Sequence, residues 1–366
     1  MSPTLREMLA ERTATAAAEL TVKENDGAVR CLACGHRCFM YPGLAGVCQV
    51  RFNHQGELRV PSGYVSSVNI DPIEKKPFFH AFPGSDALSF GMLGCDLHCS
   101  YCQNWVTSQA LRDDAALSHA QSITAADMIT MAVRKRTPVV VSTYNEPLIT
   151  SEWAVEIFAQ AKPHGLVCGY VSNGNGTPEV LDYLKPYVDL FKVDLKGFRD
   201  RPYRTLGGVL QNVLDTIVHL VDRGFWVEIV TLVVPGFNDS DEELKDIARF
   251  LAGVSPDLPW HVTAFHPEYR LDSSPPTPAS TLIRACEIGR KAGLHYVYPG
   301  NLPGRVGTLE NTCCPGCGLL LLERSGYQVK QNGLREGCCP GCSRPIAGFW
   351  GPGIRHPLER AGGMAT

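Results

Sequence analysis

From Ala87 onward, strand-like and helix-like segments alternate, and this alternation constrains the fold more than any other feature. The strand candidates are residues 87–94, 138–144, 167–172, 190–195, 226–234 and 260–265. Most are continuous apolar runs, as parallel strands buried on both faces are. The segments between them carry helix start signals. Thr124 precedes Ala125, Met128, Ile129, Ala132 and Val133 at helical spacing, with Asp127 placed to complete a capping box. Thr177-Pro178 opens a second helix with proline at its first position. Leu210, Val213, Leu214, Ile217 and Val221 line one face of a third, which stops at Gly224. Ser240 and Glu243 begin a fourth, with Leu244, Ile247, Ala248 and Leu251 inward. Repeated strand–helix units imply a parallel sheet with right-handed crossovers. Six units fall short of the eight in a closed barrel. The expected fold is therefore α/β, a partial, laterally open (β/α)6 barrel.

The first strand candidate runs into Gly94-Cys95-Asp96-Leu97-His98-Cys99-Ser100-Tyr101-Cys102-Gln103-Asn104. Its cysteines are spaced C-x3-C-x2-C. Thiolates are soft ligands suited to zinc and to iron–sulfur clusters. Three of them can hold a four-iron, four-sulfur (4Fe-4S) cluster and leave one iron open, unlike the four-cysteine sites of ferredoxins. An open position can chelate a substrate, as in catalytic zinc sites. The spacing by itself also admits a zinc knuckle or a structural triplet. The loop falls at the C-terminal end of a strand, where barrel enzymes place their chemistry.

Other strand ends carry polar residues. The second leads into Thr143-Tyr144-Asn145-Glu146-Pro147. Glu146 offers a carboxylate to a buried ammonium, or a cap to the next helix. The third ends in Ser172-Asn173-Gly174-Asn175-Gly176, where Ser172 and Asn173 supply hydrogen bonds and the glycines admit a ligand. The fourth carries Asp194 and Lys196, which alternate on one face and can both point inward. They answer either a ligand or each other. The fifth leads into Val234-Pro235-Gly236-Phe237-Asn238-Asp239, and the sixth ends at His266.

Fifteen cysteines, an odd number, cluster rather than spread. In a reducing compartment such clusters read as metal ligands, not disulfides. Cys31, Cys34, Cys38 and Cys48 form C-x2-C-x3-C-x9-C, a second metal site for zinc or a cluster, at which His36 could compete. Cys314, Cys317, Cys339 and Cys342 form two Cys-Pro-Gly-Cys knuckles, expected to bind zinc or iron in a zinc-ribbon or rubredoxin-like module. Cys313 and Cys338 read as spares, and Cys168 and Cys286 as buried small hydrophobes. Short strands are expected at 319–322 and 327–329, and two more around Pro61-Ser62-Gly63. Residues 5–20 read as one alanine-rich helix, and residues 73–80 as a solvated turn entering the barrel. The expected organisation is a Cys-rich extension at 1–80, a core barrel at 81–300, a two-knuckle module at 301–352 and a tail at 353–366, disordered from Arg360.

Net charge is -3, from 34 basic and 37 acidic residues among 366, which leaves no footprint for nucleic acid or an anionic membrane. No signal-peptide core and no apolar run of about 18 residues is present, so a cytoplasmic location is expected.

The triplet with Tyr101 just before its third cysteine resembles the signature of the radical S-adenosylmethionine (SAM) superfamily. Asn145-Glu146-Pro147 is similar to that superfamily's Gly-Glu-Pro motif, and Asp194-Leu195-Lys196 to a strand motif of glycyl-radical-enzyme activases. Taken with both outer cysteine sets and the 73–80 stretch, the chain from Cys31 to Trp350 resembles the AmmeMemoRadiSam-system radical SAM enzymes. It is similar to pyruvate formate-lyase activating enzyme through the core alone. The resemblance implies a radical SAM barrel with a 4Fe-4S cluster on Cys95, Cys99 and Cys102. It implies SAM bound by Tyr101, Asn145, Glu146, Ser172, Asn173, Asp194, Lys196 and His266. The activity implied is an oxidoreductase in which a deoxyadenosyl radical abstracts hydrogen from a protein, or else from a small-molecule or lipid-like metabolite. Implied partners are a flavodoxin- or ferredoxin-type reductant and AMMECR-type and Memo-type proteins. A reading from another class is a metal-stabilised module that binds RNA or protein through its knuckles.

Overall fold

The computed structural model describes residues 5–362. The chain divides into two compact units, each built from several stretches. The first comprises residues 1–70, 87–189 and 204–219, and the second residues 71–86, 190–203 and 220–366.

In the first unit, strand Val139–Ser142 lies between Asp86–Gly91 and Val167–Ser172, parallel to both. Val139 pairs with Ala87 on one side and Val167 on the other. Val139, Val140 and Val141 are fully buried, as expected of a strand covered on both faces. Helices Ala125–Lys135, Ser151–Ala161 and Pro178–Leu184 follow successive strands. Thr124 and Asp127 form the expected capping box, and the Thr177 hydroxyl accepts from the Val180 amide.

In the second unit, strands Leu190–Asp194, Trp226–Val233, Trp260–Ala264 and Val297–Gly300 run parallel in that order. Ser240 caps helix Asp241–Val254, and helix Ala279–Lys291 follows the Trp260–Ala264 strand. All six expected strands are present. Val297–Gly300 is additional, and Ser67–Pro72 falls where a short strand is expected after Pro61-Ser62-Gly63. Both are short and interrupted by proline or polar residues, so neither shows an apolar run.

Two expectations are overturned. Residues 5–20 are not one helix: the helix is Leu5–Ala10, and Thr13–Thr15 pairs antiparallel with Glu57–Pro61. Two β-branched threonines and a partner strand outweigh the helix propensity of the alanines. Residues 73–80 are not a solvated turn. Ile73, Phe78 and His80 are fully buried, and Glu74, Lys76 and Phe79 nearly so. Lys75 and Lys76 are held by Asp71 at 2.8 and 3.1 Å.

That buried stretch helps to centre the second unit on Glu228. The Glu228 carboxylate accepts from the Phe79 and His80 amides, the Trp226 indole and His261 Nε2, at 2.7–3.0 Å. Burial works against its charge, but the His261 bond and the neighbouring imidazoles outweigh it and hold the carboxyl below its ordinary range. His80 in turn reaches Ala347 O and the Tyr298 hydroxyl. Arg324 stacks over Phe79 and donates to Thr312 and Phe79 O. Strands Thr312–Cys313, Leu320–Ser325 and Gln328–Asn332 form the C-terminal sheet. A hairpin of Gly348–Gly351 and Ile354–His356 follows. Arg360 pairs with Asp222, and the Ala361 amide bonds to Val254 O. The last four positions of the expected tail lie outside the described residues.

Candidate active site

Strand Asp86–Gly91 delivers the chain to Gly94, whose φ of +92° suits glycine. A Cβ there would lie 2.8 Å from Val50 Cγ1 and 3.1 Å from Cys48 O. The loop that follows is largely buried: Asp96 and Leu97 are inaccessible, Cys99 and Tyr101 nearly so, and Cys95 and Cys102 partly covered. The Leu97 amide donates to Cys95 Sγ at 3.4 Å, and Cys102 Sγ lies 3.2 Å from Ser108 Oγ. His98 is tied by its amide to Leu206 O.

The second and third strand ends meet this loop within the same unit. Glu146 is buried, and its carboxylate accepts from Ser172 Oγ and the Asn173 amide, both at 2.7 Å, and from the Leu148 amide at 3.0 Å. It caps the turn Pro147–Thr150, as the simpler reading of the motif has it, and also faces the third strand end. Burial, and then the Asp96 charge, push Glu146 up to about 8 against those three donors. Asn145 Oδ1 accepts from the Met92 amide, which fixes the segment before the triplet. Asn173 Nδ2 donates to Asp96 Oδ1 at 2.7 Å and lies 3.9 Å from Cys95 Sγ.

Asp96 and Asn175 belong to this site although neither stands out in the sequence. Asn175 Nδ2 donates to Asp96 Oδ2 at 2.7 Å, so both carboxylate oxygens are held by amides from the third strand end. His36 lies 3.1 Å from Asp96 O and 3.9 Å from Oδ2, beside the triplet loop. The available signal is an acid inside a cysteine loop together with an Asn-Gly-Asn-Gly run. Neither half identifies the other without the fold.

In the second unit Asp194 lies between two ammonium groups. Lys192 Nζ donates to one oxygen, and Lys196 Nζ reaches the other at 3.5 Å. Burial opposes its charge, but the two lysines prevail and hold its pKa below the usual carboxylate value. Asn238 locks this strand end, donating to Lys196 O and Leu232 O, both at 2.9 Å. His266 is exposed, with Nδ1 3.5 Å from Pro267 O.

Cys314, Cys317, Cys339 and Cys342 bring their sulfurs within 4.8 Å of one another, a set that could hold one metal ion. Cys313 and Cys338 stand outside it. Cys168 and Cys286 are buried.

The triplet fits a cluster. Three soft donors on one loop leave a fourth corner open, and as a free thiol Cys95 is held well above its ordinary value by burial, then by Asp96 and Glu146. A cationic iron core is what makes a thiolate stable in such a place. Among the described residues no helix is long and apolar enough to cross a membrane.

A profile of the Radical SAM superfamily matches residues 91–251, which takes in the triplet and the Glu146, Asn173 and Asp194 strand ends. The chain is 37% identical over 310 residues to an uncharacterized protein of Methanocaldococcus jannaschii, covering 84% of this chain and 91% of that protein. It is 30% identical over 107 residues to the choline trimethylamine-lyase activating enzyme of Oleidesulfovibrio alaskensis, covering 29% of this chain and 34% of that enzyme. It is 24% identical over 168 residues to the pyruvate formate-lyase-activating enzyme of Clostridium pasteurianum, covering 44% and 67%. With these matches and a cysteine triplet joined to the strand ends beside it, the chain belongs to the radical SAM superfamily of enzymes.

Proposed function

We propose that this enzyme is of the AmmeMemoRadiSam-system type and abstracts hydrogen from a protein substrate, as an activase does. Cys95, Cys99 and Cys102 hold the 4Fe-4S cluster. When bound, the cluster and SAM together supply one-electron cleavage of a carbon–sulfur bond and a deoxyadenosyl radical. The chain's part is to bind, orient and keep out water. Glu146 receives the SAM ammonium, and Asn145, Ser172 and Asn173 fix that carboxylate and its backbone. Tyr101 walls the triplet loop. Asp194, Lys196 and His266 serve the ribose, carboxylate and adenine. A flavodoxin- or ferredoxin-type protein in the cytoplasm is the electron donor, and AMMECR-type and Memo-type proteins are working partners. The terminal knuckles hold zinc or iron.

The observation that carries the reading is the buried Glu146 carboxylate, bonded to Ser172 and Asn173, whose side chain also reaches toward Cys95. Names of relatives that activate lyases support the protein-substrate choice. The test is anaerobic reconstitution, reduction with SAM present, and measurement of deoxyadenosine and methionine. A variant with Cys95, Cys99 and Cys102 all changed to Ala is the control. Product from the wild type alone supports the chemistry, and a protein-centred radical signal on a co-purified partner supports the substrate class. A cluster whose spectrum SAM leaves unchanged refutes the reading.

A further inference from the structure

We propose that Cys31, Cys34, Cys38 and Cys48 hold a second iron–sulfur cluster rather than a single zinc ion. Strands Val29–Cys31 and Phe39–Met40 pair antiparallel, and the Cys31 amide bonds to Cys38 O at 2.9 Å. That hairpin sets three of the cysteines on one loop. Gly46 N bonds to Arg51 O and Gln49 N to Gly46 O, which folds the long arm so that Cys48 returns toward them. Cys31, Cys34 and Cys48 are buried, and Cys38 is partly covered.

The sulfurs already receive backbone dipoles. The Val47 amide donates to Cys38 Sγ at 3.4 Å. The His36 amide lies near Cys34, and the Val50 and Arg51 amides near Cys48, each favouring the charged form of the sulfur. Backbone N–H groups aimed at sulfur belong to thiolates that carry charge in a bound site, and such bonds tune iron–sulfur centres. A compensating cation is also in place. Arg51 is buried beside Cys31 and Cys48, and its Nε, also buried, has no hydrogen-bond partner. A buried N–H left unpaired is costly. A charged sulfur of a bound site, thiolate or inorganic sulfide, would accept from it, and a cluster would supply more such acceptors than a single ion does.

The two outer cysteine sets differ in how closely their sulfurs approach. In the C-terminal module four sulfurs converge within 4.8 Å, as ligands of one ion must. Among the described residues no three sulfurs of the N-terminal set do. Nor, among the described residues, do the three sulfurs of the active-site triplet all come within 4.8 Å of one another. Cysteines on separate irons of a cluster stand further apart than cysteines sharing one ion.

The test uses the full chain, reconstituted without oxygen from ferrous iron and sulfide, and does not depend on SAM cleavage. Iron, zinc and acid-labile sulfide are counted per chain. Sulfide is the discriminating readout, because a mononuclear site contains none. Wild type should hold about six to eight sulfides and the variant lacking the active-site triplet about two to four. Adding Cys34→Ala and Cys48→Ala to the triplet variant should remove the rest and leave the C-terminal metal in place. A wild type with only about four sulfides, all of them lost from the triplet variant, overturns the proposal, as does sulfide that survives the added substitutions. A second zinc per chain, lost on changing Cys34 and Cys48, overturns it too. A second zinc in the wild type beside only about four sulfides overturns it without any variant, so the proposal stays open to refutation even where a variant misfolds.

Discussion

Replacing Arg51 with methionine isolates the weight of one buried charge. The Arg51 guanidinium is 2% exposed and donates to both oxygens of Glu152, at 2.7 and 2.8 Å, and to Ile149 O at 3.2 Å. Glu152 is 11% exposed and otherwise receives the Ala17 amide at 3.4 Å. Removing one partner strands the other charge, at a cost of about 3–5 kcal/mol. At about 1.4 kcal/mol per factor of ten, opening of helix Ser151–Ala161 should become roughly a hundred- to several-thousand-fold more frequent. Hydrogen–deuterium exchange of that helix reads this directly. In the double variant, Arg51→Met with Glu152→Met, no charge remains unpaired, and exchange should return to within about tenfold of wild type. If the single variant exchanges within about threefold of wild type, or the double is as labile as the single, the ion pair does not hold this region. The double variant also separates two roles of Arg51. A stability role alone is restored, whereas a role in balancing cysteine thiolates leaves labile sulfide low.

Glu146→Gln should keep the iron content of the active-site cluster but weaken SAM binding by roughly 10- to 100-fold, the loss of one charge-assisted contact, read by titrating the cluster's spectrum with SAM. Glu228→Gln should destabilise the chain by about 3 kcal/mol in urea, since one amide cannot accept all four of its donors. Because the Glu228 carboxyl titrates below its ordinary value in the fold, its stabilisation is fully present above the ordinary carboxylate range of about 4 and is lost as pH falls through the native value. The variant should lack that acid-side slope. Chelation after mild denaturation should release about one ion per chain from the C-terminal knuckles; Cys342→Ser should abolish that ion, and Cys313→Ser should leave it.

Much of the core was legible because its signals are local. Continuous apolar runs located six strands to within a few residues, and the Thr124, Thr177 and Ser240 caps marked helix starts. The four knuckle cysteines that converge were legible because each Cys-Pro-Gly-Cys turn sets its two sulfurs side by side. What escaped depends on partners far along the chain. Thr13–Thr15 became a strand only through Glu57–Pro61, and Lys75-Lys76 looked solvated because nothing local reveals that Phe78, Phe79 and His80 are enclosed. Asp96 escaped for the same reason, since its two amide partners lie 77 and 79 positions away.

The N-terminal segment bears on how this enzyme can be taken apart. The Gly35 amide bonds to Asn175 O at 2.8 Å, and a Cβ on Gly35 would fall 2.2 Å from Asn175 Oδ1. Leu32 O accepts from Thr177 Oγ1, and Arg37 grips Glu179. A gene fragment trimmed to a minimal catalytic barrel would lose all of these, together with the Arg51 partner of Glu152. The third strand end would then open to water beside Asp96. Such a fragment should be recovered as aggregate or with an oxygen-labile, solvent-flooded cluster. The extension is thus bonded to the end of the third strand and the helix after it, rather than loosely appended to them.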